Sequence, residues 1–93
     1  MKESEIISAV KEYLKTVEGC FFWKEHGGQF GQAGLPDLIV CLNGRFIAFE
    51  VKAEKGKTTV LQEVTLRKIR KAGGIAEVVR SVEDAKAVIK KLR

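Results

Sequence analysis

Two acidic residues and a lysine have the types and spacing needed for phosphodiester hydrolysis. Asp37 follows a proline, and Glu50-Val51-Lys52 begins after twelve further residues. Mg²⁺ is usually bound by one or two carboxylates together with waters and substrate phosphate oxygens. A bound ion polarises a phosphate and acidifies a water, and a lysine ammonium stabilises developing negative charge. These residues therefore indicate metal-assisted hydrolysis, provided that the fold brings them together.

A β-hairpin is expected to bring them together. Asn43-Gly44 lies between two apolar runs and is typical of a two-residue hairpin turn. With these two residues in the turn, Asp37 lies opposite Glu50, and directly opposed residues have Cβ atoms about 4.5–5.5 Å apart. Lys52 follows two residues later and points to the same face of the sheet. A slip of one residue would send the two carboxylates to opposite faces, so the prediction depends on the turn.

The rest of the chain predicts a small α/β domain. Apolar residues recur with helical spacing in three segments, and short apolar runs between them predict strands. Ser4 is the expected N-cap of the first helix, and Gly19 its end. In the second helix, the expected inward residues are Leu61, Val64, Ile69 and Ala72. The predicted helices cover 4–18, 59–72 and the segment from Ser81 onwards, and the predicted strands cover 20–23, 37–42, 45–53 and 75–79.

Composition limits the class of protein. The chain has 93 residues, 45% of them hydrophobic and 31% charged, which predicts a single globular domain over 1–93. The net charge of +5 favours a polyanionic partner such as nucleic acid. Neither a membrane span nor a signal peptide is visible, which predicts a cytoplasmic protein with no membrane partner. Cys20 and Cys41 lie in apolar segments and are expected to be buried, reduced thiols.

The acidic motif resembles a known nuclease superfamily. Pro36-Asp37 followed by Glu50-Val51-Lys52 is similar to the PD-(D/E)XK motif, and the flanking apolar residues with Gln62 resemble its VRR-NUC branch, the virus-type replication-repair nucleases. The resemblance covers nearly the whole chain. It implies a restriction-endonuclease-like core, in the order αβββαβ(α), with a mixed sheet flanked by helices.

The resemblance also implies roles for individual residues. Asp37 and Glu50 would bind Mg²⁺ or Mn²⁺, and the backbone carbonyl of Val51 would be a further ligand. Lys52 would be the catalytic lysine. Gln62 would orient the site, although Thr59-x-x-Gln62 is also a capping box, which by itself explains a glutamine there.

Other polar residues are candidates for supporting roles. Many nucleases of this kind add an acidic residue from the first helix, and Glu5 is the best positional match, with Glu12 on nearly the same face. His26 lies in a glycine-rich loop with no acidic or thiol partner at a suitable spacing, so it is not expected to be the main catalyst. The residues predicted to contact DNA phosphates are Lys24, His26, Gln29, Lys55 and Lys57.

The functional expectation is a metal-dependent deoxyribonuclease. The resemblance implies a structure-selective endonuclease that cuts branched DNA, either four-way (Holliday) junctions or flaps, in replication, recombination or repair in a bacterial or phage-infected cell. A homodimer is expected, because one small domain offers little surface for a junction and a two-fold pair presents two active sites. The alternatives are a non-catalytic nucleic-acid-binding module and a metal-dependent hydrolase of a small phosphate ester.

Overall fold

The computed structural model describes residues 1–26 and 32–93. Within these ranges, three helices and four strands follow the predicted order. They are α1 (Glu3–Leu14), β1 (Cys20–Lys24), β2 (Leu38–Leu42), β3 (Arg45–Val51), α2 (Val60–Lys71), β4 (Ile75–Val79) and α3 (Val82–Lys91). No helix in the described part of the chain is long and apolar enough to cross a membrane.

The strands form one mixed sheet in the order β1-β2-β3-β4. The first three strands pair antiparallel, whereas β3 and β4 pair parallel. A parallel pair needs a crossover between its strands, and α2 supplies it. The α/β class and the mixed sheet with flanking helices confirm the predicted restriction-endonuclease-like core.

The hairpin between β2 and β3 has the predicted register. Asn43 and Gly44 both have positive φ, 50° and 86°, as a type I′ turn requires. Leu42 lies opposite Arg45, and Leu38 lies opposite Phe49. This register places the residue before β2, Asp37, beside the end of β3.

Helices cover both faces of the sheet. α1 and α3 pack on one face through a large apolar core. α2 packs on the other face, mainly against β3 and β4, where Leu66 contacts a smaller cluster formed by Ile39, Ala48 and Ala76. Since side chains alternate along a strand, Glu50 lies on the same face as Ala48. The acidic residue of β3 therefore points to the α2 side of the sheet.

The first helix differs from its prediction at both ends. α1 begins at Glu3, with Lys2 rather than Ser4 as its N-cap. The Glu5 carboxylate accepts a hydrogen bond from the Lys2 backbone N–H, 2.8 Å long, and so satisfies the helix start without a serine cap. The helix ends at Leu14, and the next residues form a turn whose amides bond back to the last helical carbonyls.

Two other expectations about burial are wrong. In α2, Leu66 is the buried residue, whereas the predicted inward Leu61 and Ala72 are exposed. On β2, Cys41 is exposed rather than buried, and Cys20 is half-buried. The exposure of Cys41 agrees with the position of α2, which packs over β3 and β4 and leaves β2 largely uncovered on that face. Burial raises the pKa of the Cys20 thiol.

Candidate active site

Asp37 and Glu50 meet where β2 begins and β3 ends. Asp37 is half-buried and lies immediately before β2, while Glu50 lies within β3 and is only 2% exposed. The backbone N–H of Val51 donates a hydrogen bond of 2.7 Å to Asp37 Oδ2. This bond is made across the hairpin, so the register of the strands positions the Asp37 carboxylate.

Lys52 completes the cluster. Its backbone N–H donates to the Val79 carbonyl at 3.0 Å, which continues the parallel pairing of β3 with β4. Its Nζ lies 3.8 Å from Glu50 Oε2, and the Lys52 and Glu50 side chains are 11% and 3% exposed. The structure thus brings Asp37, Glu50 and Lys52 together as the turn predicts.

The Glu50 carboxyl group is in an unfavourable environment for a negative charge. Among the described residues, Glu50 Oε1 is buried without a hydrogen-bond partner. Burial raises the pKa of Glu50 to about 8, and the neighbouring Asp37 carboxylate adds to the increase. The positive charge of Lys52 acts in the opposite direction. Such a group gains most from a cation or a proton, because burying an uncompensated charge is costly.

This donor set fits a hard divalent cation. The cluster offers carboxylate oxygens, one of them buried and unpartnered, which are the ligands that Mg²⁺ and Mn²⁺ prefer. No group of three or more His, Cys, Asp and Glu side chains within 1–26 and 32–93 is arranged to hold a metal ion. An ion at this site would therefore depend on two carboxylates, with backbone carbonyl, water or substrate oxygens as its other ligands.

Comparison with solved structures finds several similar proteins, among them the following two. One, described as a VRR_NUC domain, has a TM-score of 0.81 and 29% sequence identity, over 97% of this chain and 96% of the other. The chain resembles this VRR-NUC domain over nearly its whole length. The second, described as a VRR_NUC domain protein, shares the fold with a TM-score of 0.81, at 21% identity over 97% of this chain and 86% of the other. No family model and no curated protein matches the sequence. Both structures share the predicted fold, and the first confirms the resemblance to VRR-NUC nuclease domains that the sequence shows.

The hydrogen bond from the Val51 N–H leads to a prediction about Asp37. Asp37→Asn keeps an acceptor oxygen and removes the repulsion with Glu50, so it should not lower the melting temperature without metal. Asp37→Ala leaves the Val51 N–H unpaired and should cost about 1–3 kcal/mol of stability. Thermal unfolding in EDTA checks both variants. A marked loss of stability in Asp37→Asn would show that the charge itself stabilises the fold.

Gln62 caps the start of α2. Its side-chain Oε1 accepts a hydrogen bond from the Thr59 N–H at 2.9 Å, and its own N–H donates to Thr59 Oγ1 at 3.1 Å. These two bonds form the capping box at the start of α2. The role of Gln62 in orienting the site stays a prediction.

Two substitutions separate the roles of Gln62. Gln62→Ala removes half of the capping box and should cost about 0.5–1 kcal/mol of stability. Gln62→Glu keeps the box, because glutamate serves equally at this position, so its melting temperature should stay near that of the wild type. Cleavage by Gln62→Glu is expected to fall at least several-fold if the amide orients the site. Unchanged cleavage would assign Gln62 to the capping box alone.

The acidic residues of α1 are arranged differently from the prediction. The Glu5 carboxylate is bonded to the Lys2 backbone, and Glu12 pairs with Lys15 at 2.8 Å. Glu3 is the helix residue whose charge contributes to the raised pKa of Glu50. Its position was missed because the helix was expected to start later, at Ser4. The Glu5 carboxylate is thus engaged at the start of α1, and its role as a metal ligand stays a prediction.

The predicted DNA-binding residues lie in two places. Lys24 is half-buried, with its Nζ donating to the Glu25 carbonyl at 3.2 Å, and His26 is exposed. Lys55 and Lys57 are exposed in the loop that follows Lys52. Gln29 lies outside the described residues. Contact between DNA and these side chains stays a prediction.

Proposed function

We propose that this VRR-NUC domain is a Mg²⁺- or Mn²⁺-dependent endonuclease that hydrolyses phosphodiester bonds in branched DNA. The observation that carries the proposal is the buried, unpartnered Oε1 of Glu50, with the Asp37 carboxylate beside it and Lys52 Nζ 3.8 Å from the other Glu50 oxygen. A cation between these carboxylates would relieve their repulsion. This arrangement suits phosphate chemistry, since a phosphodiester supplies oxygen ligands.

Each residue of the cluster has a proposed task. Asp37 and Glu50, with the Val51 carbonyl, would hold the ion, which supplies Lewis-acid activation of the phosphate and a more acidic water. The Val51 N–H holds the Asp37 carboxylate in place. Lys52 keeps a positive charge on the side of the site where negative charge develops on the phosphate.

The proposed substrate follows from size and charge. The chain carries a net charge of +5, and the exposed Lys55 and Lys57 follow Lys52 along the chain, where they would contact phosphates beside the site. A second copy of the chain would supply a second site and the larger surface that a four-way junction or flap needs. Size-exclusion chromatography with light scattering tests the proposed homodimer.

The deciding experiment is a cleavage assay with defined DNA structures. Labelled four-way junction, flap, duplex and single-stranded DNA are incubated with wild type, Asp37→Asn and Glu18→Gln, in Mg²⁺, Mn²⁺ or EDTA. We expect wild type and Glu18→Gln to cut branched DNA only with metal, because Glu18 lies beyond the opposite end of the hairpin. Asp37→Asn should bind the same DNA without cutting it.

Three outcomes would contradict the proposal. DNA binding by wild type without any cleavage would favour a non-catalytic binding module. Hydrolysis of p-nitrophenyl phosphate without cleavage of DNA would favour a small phosphate ester as substrate. Equal cutting by Asp37→Asn and wild type would place the chemistry elsewhere in the chain.

A further inference from the structure

The Arg80 side chain contacts the loop that follows Lys52. Arg80 comes directly after β4, and its Nη1 donates to the Ala53 and Gly56 carbonyls, both at 2.7 Å, and to the Glu54 carbonyl at 3.2 Å. The Ala53 carbonyl also accepts the Gly56 N–H at 3.0 Å, which closes a turn. One guanidinium group thus binds three carbonyl oxygens of a loop lying at least 24 residues earlier in the chain.

The Arg80 backbone is itself held in place. Its N–H donates to Asp84 Oδ2 at 2.8 Å, and the Asp84 N–H donates to Ser81 Oγ at 3.2 Å. These bonds fix the Arg80 backbone at the start of α3. The side chain therefore joins two regular elements, β4 and α3, to a loop that has no regular structure of its own.

Lys52 does not depend on this contact. Its backbone N–H is bonded to the Val79 carbonyl, and its side chain packs beside Glu50. Lys55 and Lys57, in contrast, are exposed within or next to the turn that Arg80 binds. Arg80 therefore contacts the segment that carries these two lysines, whereas other bonds hold Lys52.

We propose that Arg80 is a positioning residue for substrate binding, which holds the 53–57 loop so that Lys55 and Lys57 contact the DNA phosphates next to the site. The proposal rests on the nuclease function proposed above. An arginine suits this task because its planar, always charged group presents several donors in a fixed arrangement. Without it, the loop gains conformational freedom that DNA binding must then remove, and ordering side chains and loops on binding weakens affinity.

The kinetic test separates binding from chemistry. Arg80→Ala should raise KM for branched DNA about 3- to 10-fold and leave kcat within about 2-fold, as expected for loss of an interaction made equally in the ground and transition states. Arg80→Lys keeps the positive charge and a nitrogen donor on a side chain of different shape, so its KM should lie between those of wild type and Arg80→Ala. Arg45→Ala removes an exposed arginine at the other end of β3 and should leave KM unchanged.

Combining substitutions tests whether Arg80 works through the two lysines. If it does, adding Arg80→Ala to the Lys55→Ala/Lys57→Ala variant should raise KM little further, since the positions are coupled. Fully additive effects would mean that Arg80 touches DNA itself and would overturn the positioning role. A fall in kcat at unchanged KM would also overturn it.

Limited trypsin digestion tests, without any nuclease assay, whether Arg80 holds the 53–57 loop in place. Trypsin cuts after Lys55 and Lys57, and mass spectrometry measures the rate at each bond. Digestion is carried out well below the melting temperature of all three proteins, so that each is folded. We expect Arg80→Ala to be cut at these two bonds several-fold faster than wild type and Arg45→Ala. Equal rates would overturn the proposal. If wild type cuts DNA but KM is unchanged in Arg80→Ala, the positioning role fails while the nuclease function stands, whereas absence of cleavage by wild type overturns both.

Discussion

Glu50→Gln is expected to abolish cleavage while making the metal-free protein more stable at neutral and alkaline pH. The amide keeps the size of the side chain but cannot supply the negative charge that holds a divalent cation. We expect cleavage to fall at least about 100-fold, the effect of removing one electrostatic contribution in other active sites. The stability of the variant should instead be higher than that of wild type, because a charged carboxylate buried at this position destabilises the folded state.

The pH dependence gives this prediction its direction. The pKa of Glu50 in the folded protein is about 8, against an ordinary value of 4.5, so the folded state holds the proton more tightly than the unfolded chain. The contribution of this group to stability is therefore fully present below pH 4.5 and is lost as pH rises through 8. Glu50→Gln removes this dependence, and at pH 9 it should be the more stable protein by up to about 5 kcal/mol, the free energy that corresponds to this pKa shift.

Urea or thermal unfolding in EDTA at pH 5, 7 and 9 measures this difference. Adding Mg²⁺ should stabilise wild type at pH 8 and leave Glu50→Gln unchanged, because binding to the folded state alone raises stability. A Glu50→Gln variant that is less stable than wild type at pH 9 would mean that the ion pair with Lys52 outweighs the cost of burial. Stabilisation of both proteins by Mg²⁺ would place the ion elsewhere.

Lys52→Ala is the second substitution with a large expected effect. The Lys52 side chain is 11% exposed and lies 3.8 Å from Glu50, in a position to stabilise charge on the phosphate. We expect kcat to fall by about 10²–10³-fold, with KM within a few-fold of wild type. The loss of its positive charge also raises the pKa of Glu50 further, so the remaining activity should move to higher pH.

A matched control makes the Lys52 prediction specific. Lys15→Ala removes a lysine that pairs with Glu12 on the surface and should leave cleavage unchanged. Single-turnover cleavage from pH 6 to 9 measures both variants, and Mg²⁺-dependent stabilisation shows whether the ion still binds. A Lys52→Ala variant with unchanged kcat would remove Lys52 from the chemistry, and one with only a raised KM would make it a DNA-binding residue.

The local sequence was sufficient to predict the three residues at the centre of the site. Asn43 and Gly44 favour positive φ, which selects one tight turn, and a tight turn leaves one register for the strands beside it. From that register follows the meeting of Asp37, Glu50 and Lys52. The element order was equally readable, because alternating and helical apolar periods report directly on strands and helices.

The tertiary structure alone decided the surroundings of this centre. The burial of Glu50, and with it the raised pKa, depends on how the helices pack around the sheet. The same packing made Leu66 the buried residue of α2 and left Cys41 exposed. Contacts between residues far apart in the chain depend on the docking of whole elements, which no local pattern encodes.

The contacts of Arg80 are the clearest example of a feature that only the tertiary structure reveals. In the sequence it is one basic residue among 17, with no motif that connects it to the loop after Lys52. The parallel pairing of β3 with β4 brings it there, and that pairing requires α2 to cross over the sheet. The sequence by itself thus determined the hairpin and the three residues it brings together, because a two-residue turn acts locally. The folded chain determined their burial, charge and supporting contacts, because these arise only when distant elements pack.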